Sequence, residues 1–334
     1  MTVKTQPWSG VRIAGAVVVA LLAIGVYAFK APSLKLVPVN LVGKRFIVTG
    51  CTIGGIGYES AVILAEWNAT VLCSVRSKDK GEQVLAASAP RLQKTLGSIE
   101  FGVVDLTSFA STRAFAADVL ARMQRIDGIL FNAGLHTAKM KVSSEDGLNE
   151  EIKVNHLAQF LLARLLEERV IASAPSKLVW MSSGAYMNGK LNKALYNHKA
   201  RPQGREGLGV YDDSKLLNVL TANAFAERYK ARKVDVTSNS LAPGIVATNF
   251  LETSKGEFVL DLVARFVVPW MARNLRDGAA RGIQLLTAPE YRHVTGHYAA
   301  DYLSFPTTSE VTSDNARWVW CVRPLLRYRV ITEG

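Results

Sequence analysis

The 334-residue sequence predicts an α/β protein: a single domain on a doubly wound parallel sheet, preceded by an N-terminal transmembrane helix. Three observations carry this. From Lys44 onward short β-branched or apolar runs alternate with helix-length stretches, and such alternation implies a parallel sheet covered on both faces. A glycine-rich turn, Gly50-Cys51-Thr52-Ile53-Gly54-Gly55-Ile56-Gly57, joins the first run to an apolar helix. Residues Ile13 to Phe29 read IAGAVVVALLAIGVYAF, without a charge.

The apolar stretch comes first in the chain. As a helix it covers about 25 Å, just short of the hydrocarbon core, and Arg12 and Lys30 at its ends can snorkel. A cleaved signal peptide would have a shorter apolar region and small residues at its exit, where this chain has Tyr27, Phe29 and Lys30. The chain is therefore divided into a flank (1–12), an anchor (13–30), a proline-containing linker (31–43), a domain (44–302) and a tail (303–334). Lys30, Lys35, Lys44 and Arg45 after the span outnumber Lys4 and Arg12 before it. That excess places the domain on the cytoplasmic side, with the endoplasmic reticulum favoured over a mitochondrial membrane.

The runs read as strands are Arg45–Thr49, Thr70–Val75, Ile99–Val104, Gly128–Phe131, Lys177–Met181 and Asp235–Asn239, an arrangement of Rossmann type. Composition removes several function classes. A charged fraction of 20% with 49% hydrophobic residues excludes a disordered chain. Three scattered cysteines make neither a disulfide framework nor a metal cluster. The net charge of +12 is spread along the chain without a basic block, so nucleic acid is not the expected partner and anionic lipid is.

Glycines between a first strand and a first helix let backbone approach a pyrophosphate, and the helix N-terminus offers free N–H groups and partial positive charge. The second strand ends at Val75-Arg76-Ser77, where an NAD site usually carries a carboxylate. Arg76, with Lys78 and Lys80 beyond, suits a 2′-phosphate instead, so NADP(H) is the expected cofactor. Asp105 closes the third strand, either to accept from the adenine amine or to cap the next helix. Asn132-Ala133-Gly134 ends the fourth strand with small residues that leave room beside a cofactor.

Tyr211-Asp212-Asp213-Ser214-Lys215 opens a long helix. Four residues place Tyr211 and Lys215 one turn apart on one face. A free phenol titrates too high for proton exchange near neutrality, and a neighbouring ammonium and an oxidised nicotinamide should both lower it. Ser182-Ser183 ends a strand, Asn155 lies in the long preceding helix, and Pro243-Gly244-Ile245-Val246-Ala247-Thr248 follows the sixth strand.

Taken in order from Thr49 to about Thr248, these motifs resemble the short-chain dehydrogenase/reductase family. Arg76 to Glu82, Ser144 to Leu148, Val154-Asn155-His156-Leu157, Thr295-Gly296-His297-Tyr298 and Arg317-Trp318 are similar to its retinol dehydrogenase branch. The resemblance implies Tyr211 as acid/base, Lys215 as the group lowering its pKa and holding the nicotinamide ribose, Ser183 as the binder of the reacting oxygen, and Asn155 as the holder of a relay water. It also implies Gly50, Gly55, Ile56, Gly57, Arg76, Asp105, Asn132 and Thr248 as cofactor contacts, and no metal. Two positions depart from the family pattern: four residues rather than three separate Thr49-Gly50 from Gly55-Ile56-Gly57, and Gln159 stands where this branch commonly has histidine. Gly184 to Val210 is a long insertion expected to wall the substrate pocket.

Phe258, Leu262, Val263, Phe266, Val267, Trp270 and Met271 form an apolar stretch where the family commonly has a lid. With the anchor, this points to a lipophilic alcohol or carbonyl (retinoid, steroid or fatty). The tail around Trp318 and Trp320, with Arg317, Arg323, Arg327 and Arg329, either meets lipid headgroups or packs on the body. A second reading keeps the fold as a nucleotide-holding accessory subunit of a membrane complex; a homodimer or a complex partner is open on either reading.

Overall fold

The computed structural model describes residues 34–137, 141–191, 208–246, 272–300 and 311–321. The anchor, the apolar stretch 258–271, Thr248 and most of the insertion lie outside the described residues. Within them no helix is long and apolar enough to cross a membrane.

Seven strands form one sheet in the order β3-β2-β1-β4-β5-β6-β7, every pair parallel. They are β1 (Arg45–Val48), β2 (Thr70–Val75), β3 (Ser98–Val103), β4 (Gly128–Phe131), β5 (Ser176–Met181), β6 (Val236–Leu241) and β7 (Tyr298–Ala299). The six expected strands are present, β2 and β4 with the expected ends and the others with ends moved by one or two residues, and the two-residue β7 adds a seventh strand at the edge. Helices α1 (Ile56–Glu66), α2 (Lys78–Leu92), α3 (Phe109–Arg122), α4 (Ala158–Ala172), α5 (Leu208–Arg232), α6 (Leu275–Thr287) and α7 (Ser313–Cys321) complete the order.

Strand side chains alternate between faces, and the two buried clusters follow that alternation. Ile47, Leu72, Ile129, Phe131, Leu178 and Trp180 pack with α3, α4 and α5. Phe46, Val48, Val71, Cys73, Leu130, Val179 and Leu241 pack with α1 and α6. Trp180 stacks on Phe131 with ring centroids 4.0 Å apart, and its Nε1–H donates to Ser238 Oγ at 3.1 Å.

The chain winds outward from β1 to β3, then returns to place β4 on the other side of β1. A crevice opens at the carboxyl ends of β1 and β4, where ligands bind in sheets of this kind. The described part of the linker lies on the domain: Leu41 is buried, and its N–H donates to Trp67 O at 2.7 Å. The tail helix α7 takes the second of its two expected courses. Trp320 lies 5.6 Å from Phe160 and 5.0 Å from Phe225, with the Arg164 and Arg228 guanidiniums 4.9 and 5.0 Å from its ring.

Candidate active site

The crevice is a cleft of about 530 Å³, lined by the glycine turn, the ends of β2 to β6 and the first turns of α5. Its floor begins at Gly50. There φ is +74°, and a Cβ would stand 2.8 Å from Ala133 Cα, so only glycine serves. Gly54 is also left-handed, with φ +78°, and Gly55 N–H donates to Thr52 O at 2.9 Å. The extra residue of the turn is thus absorbed by a second positive-φ glycine. Gly55 caps α1 without a side-chain hydrogen bond, which leaves first-turn N–H groups of Ile56 and Gly57 for an anion. A Cβ on Gly57 would meet Gly50 O at 2.6 Å.

Asn132 ties the ends of β1 and β4, its Nδ2 donating to Thr49 O at 2.8 Å and Gly50 O at 3.3 Å. Arg76 is exposed at the end of β2, and both it and Lys80 line the cleft. Lys78 instead faces Glu82 at 3.6 Å. Asp105 lines the cleft, but its Oδ1 accepts from Thr107 N and Oγ1 at 2.9 and 2.7 Å. It is not the helix cap; Ser108 caps α3. The uncapped α1 terminus, the glycine floor and the two cations fit a phosphorylated dinucleotide.

Tyr211, Ser183 and Lys215 meet at the other end of the same cleft. Ser183 Oγ is hydrogen-bonded to the Tyr211 phenol. Ser182 is buried, its hydroxyl donating to Lys215 O at 2.8 Å, so of the two serines Ser183 is the one bonded to the phenol. Lys215 Nζ lies 5.3 Å from the Tyr211 ring and donates to Met181 O at 3.3 Å.

One expectation requires correction. Burial pushes the Tyr211 phenol well above its ordinary value, Glu151 and Asp212 add to that, and only the Ser183 hydrogen bond opposes it. The lysine does not make the phenol acidic here. Lys215 is itself pushed down to about 8 by burial, with Glu151 acting the other way. Desolvation disfavours both charged forms.

Asn155 sits not in an ordinary α-turn but in a π-helical segment, Lys153–Leu157, ahead of α4. Its Oδ1 accepts from Leu135 N at 2.7 Å, and its Nδ2 donates to Leu135 O at 2.9 Å and Ser214 Oγ at 3.0 Å. Ser214 Oγ in turn donates to Tyr211 O at 2.7 Å. Gln159 joins the same network: its Nε2 donates to Ala133 O at 2.8 Å and Asn155 O at 2.9 Å, while its Oε1 accepts from Thr49 Oγ1 at 2.9 Å. Thr49 Oγ1 accepts from the N–H groups of Asn132 and Ala133, each at 2.9 Å.

Sequence reasoning did not single out Ser214 or the linking role of Gln159. The only signal for Gln159 was its departure from the family pattern. Beside Tyr211, His136 Nδ1 lies 3.1 Å from Glu151 Oε1, both residues being buried. No group of three or more metal-ligating side chains occurs among the described residues.

Comparison with known proteins agrees with this geometry. A family model described as short chain dehydrogenase matches residues 44–198. Retinol dehydrogenase 14 of Mus musculus is 32% identical over 273 residues, covering 78% of each chain. Retinol dehydrogenase 12 of Homo sapiens is 32% identical over 282 residues, covering 84% of this chain and 85% of that one. A solved short chain dehydrogenase from Escherichia coli CFT073, complexed with NADPH, superposes with a TM-score of 0.60 at 22% identity, over 79% of this chain and 98% of that one.

The buried ammonium has a thermodynamic consequence. With Lys215 held at about 8 against an ordinary 10.5, the folded state carries a net cost of about 3 kcal/mol at neutral pH. Lys215→Met removes that cost, and Met181 O keeps its bond from Asn218 Nδ2 at 2.9 Å. Urea unfolding should show the variant more stable by about 2–3 kcal/mol at pH 7. The advantage should be complete below about 8 and fade as pH rises towards 10.5; a variant less stable than wild type at pH 7 would refute this cost.

Proposed function

Because the chain belongs to the short-chain dehydrogenase/reductase family, in its retinol dehydrogenase branch, and is an oxidoreductase, we propose that it transfers hydride between NADP(H) and a lipophilic alcohol or carbonyl. Retinoid, steroid and fatty carbonyl compounds are the substrate class. The observation that carries the reading is the convergence of Tyr211, Ser183 and Lys215 at one end of a cleft whose other end holds Arg76.

The α1 N-terminus and the glycine floor would hold the pyrophosphate through Gly50, Gly55, Ile56 and Gly57, and Arg76 with Lys80 would hold the 2′-phosphate. Asp105 and Asn132 would flank the adenosine and nicotinamide ends, with Thr248 assigned by resemblance. Bound there, the nicotinamide supplies or accepts the hydride. Tyr211, kept protonated by burial, gives its proton to the carbonyl oxygen in reduction and recovers it in oxidation. Ser183 donates a hydrogen bond to the same oxygen. Lys215 would stabilise the phenolate left behind and hold the nicotinamide ribose. Asn155 fixes the Leu135 backbone and, through Ser214, the start of α5. Its carbonyl also accepts from Gln159 Nε2 at 2.9 Å, and the relay water is assigned to Asn155 by resemblance.

Residues 13–30 anchor the protein in a membrane, which delivers a substrate that partitions into lipid; the domain faces the cytoplasm. The accessory-subunit reading is not favoured, because it leaves the convergence of Tyr211, Ser183 and Lys215 without a purpose.

A panel of retinoid, steroid and fatty carbonyls with NADPH or NADH tests the assignment on purified full-length protein. Tyr211→Phe should lower kcat by about 10²–10⁴-fold while the fold persists; wild-type turnover would refute the mechanism. In the same assay Arg76→Ala should raise KM for NADPH about ten- to a hundredfold and leave KM for NADH unchanged, as expected when a charge-assisted hydrogen bond of about 1.5–3 kcal/mol is lost. The full chain should stay in the membrane pellet after an alkaline carbonate wash, and a chain lacking residues 1–30 should not; equal behaviour of the two would sink the anchor.

A further inference from the structure

Lys215 is 3% exposed, and the hydrogen bond from its Nζ goes to the Met181 carbonyl, a neutral group. A buried ammonium in so dry a place needs a counter-charge. Glu151 is 2% exposed and His136 3% exposed. Glu151 Oε1 is paired with His136 Nδ1 at 3.1 Å, and Oε2 accepts from Thr137 N at 3.4 Å and Thr137 Oγ1 at 3.3 Å. The backbone that carries it is fixed as well, since Asn149 Oδ1 accepts from the N–H groups of Glu151 and Ile152 at 2.8 and 3.1 Å.

The placement is directed at the reacting groups. The His136 ring meets the Tyr211 ring edge-on, with centroids 5.3 Å apart. Glu151 lies one helical turn before Asn155. A Cβ on Gly134 would stand 3.4 Å from both Asn155 Oδ1 and Lys215 Nζ, so the ammonium sits against that same turn. Neither His136 nor Glu151 lines the cleft.

We propose that Glu151, clamped by His136 and Thr137, is a positioning residue that supplies the counter-charge holding Lys215 as an ammonium beneath Tyr211. This rests on the oxidoreductase reading of the site and deepens it. The charged and titratable groups that face Glu151 are His136 from the loop after β4, and Tyr211 and Lys215 from α5. On its own segment are Glu150 and Lys153, and Lys153 is paired with Glu145 at 3.0 Å and with Asp146. Electrostatically Glu151 raises Lys215 and Tyr211 together, so it favours ammonium and neutral phenol, the pairing a proton donor requires.

The test reads Lys215 itself. Unfolding free energies of the full chain are compared between wild type and Lys215→Met across pH, and the pH at which their difference begins to vanish marks the lysine. The comparison is repeated with Glu151→Gln in both proteins. That pH should fall by roughly one unit, a roughly tenfold loss of proton affinity, as expected when an opposite charge is removed nearby. Glu151→Asp should restore it. Glu151→Gln should also lower kcat at pH 8 roughly tenfold, with KM for NADPH unmoved. A Lys215 titration left in place, or a kcat left in place, overturns the proposal. Should Glu151→Gln not fold, His136→Phe replaces it: the ring contact stays, the clamp is lost, and the titration must still move downward. Loss of the redox reading is distinguishable, because Tyr211→Phe with undiminished turnover leaves the unfolding measurement intact.

Discussion

The site depends first on a knot of hydrogen bonds centred on the Thr49 hydroxyl. One oxygen accepts from two successive N–H groups at the end of β4 and donates to the Gln159 amide. The amide nitrogen passes the constraint to Ala133 O and to Asn155 O in the π segment. The diverging strand ends, the glycine floor and the helix carrying Asn155 are therefore set against one another by groups that are buried but for the half-buried Asn132. Because each buried polar group there would be costly if left unpaired, the arrangement is held to one geometry.

That geometry brings the two chemistries of the cleft together. At one end, backbone N–H groups and two exposed cations offer positive potential without burying any charge. At the other, a half-buried phenol and a buried ammonium are each displaced from their ordinary acidity in the direction loss of solvent dictates. Just before it along β4 and β5, Phe131 and Trp180 form a stacked aromatic layer with Phe225 of α5.

Much of the fold was legible in the sequence because strand runs and the glycine turn are local signals. β4 was read with its observed ends since Gly128 and Phe131 bound a short apolar run, whereas β7 has too few residues to leave a pattern. The π segment is invisible in sequence: one extra residue per turn leaves no trace in Lys153–Leu157, a stretch buried on every side whatever its polarity. Asp105 and Ser108 are both capping residue types, and only the hydrogen bonds decide between them. The acidity of Tyr211 was misjudged for a related reason. Spacing shows that Lys215 is near, but the burial that dominates comes from residues distant in the chain. Gln159, 110 positions from Thr49, could be seen in sequence only as an unusual amino acid.

The substitution at that position carries one more implication. A carboxamide has no proton to gain or lose in the physiological range, whereas an imidazole in its place would titrate close to neutrality. With Gln159 at the centre, the framework beneath the cofactor cleft is indifferent to acidification of its surroundings. The knot that ties the strand ends to the π segment at this position thus keeps its hydrogen bonds with no proton to exchange.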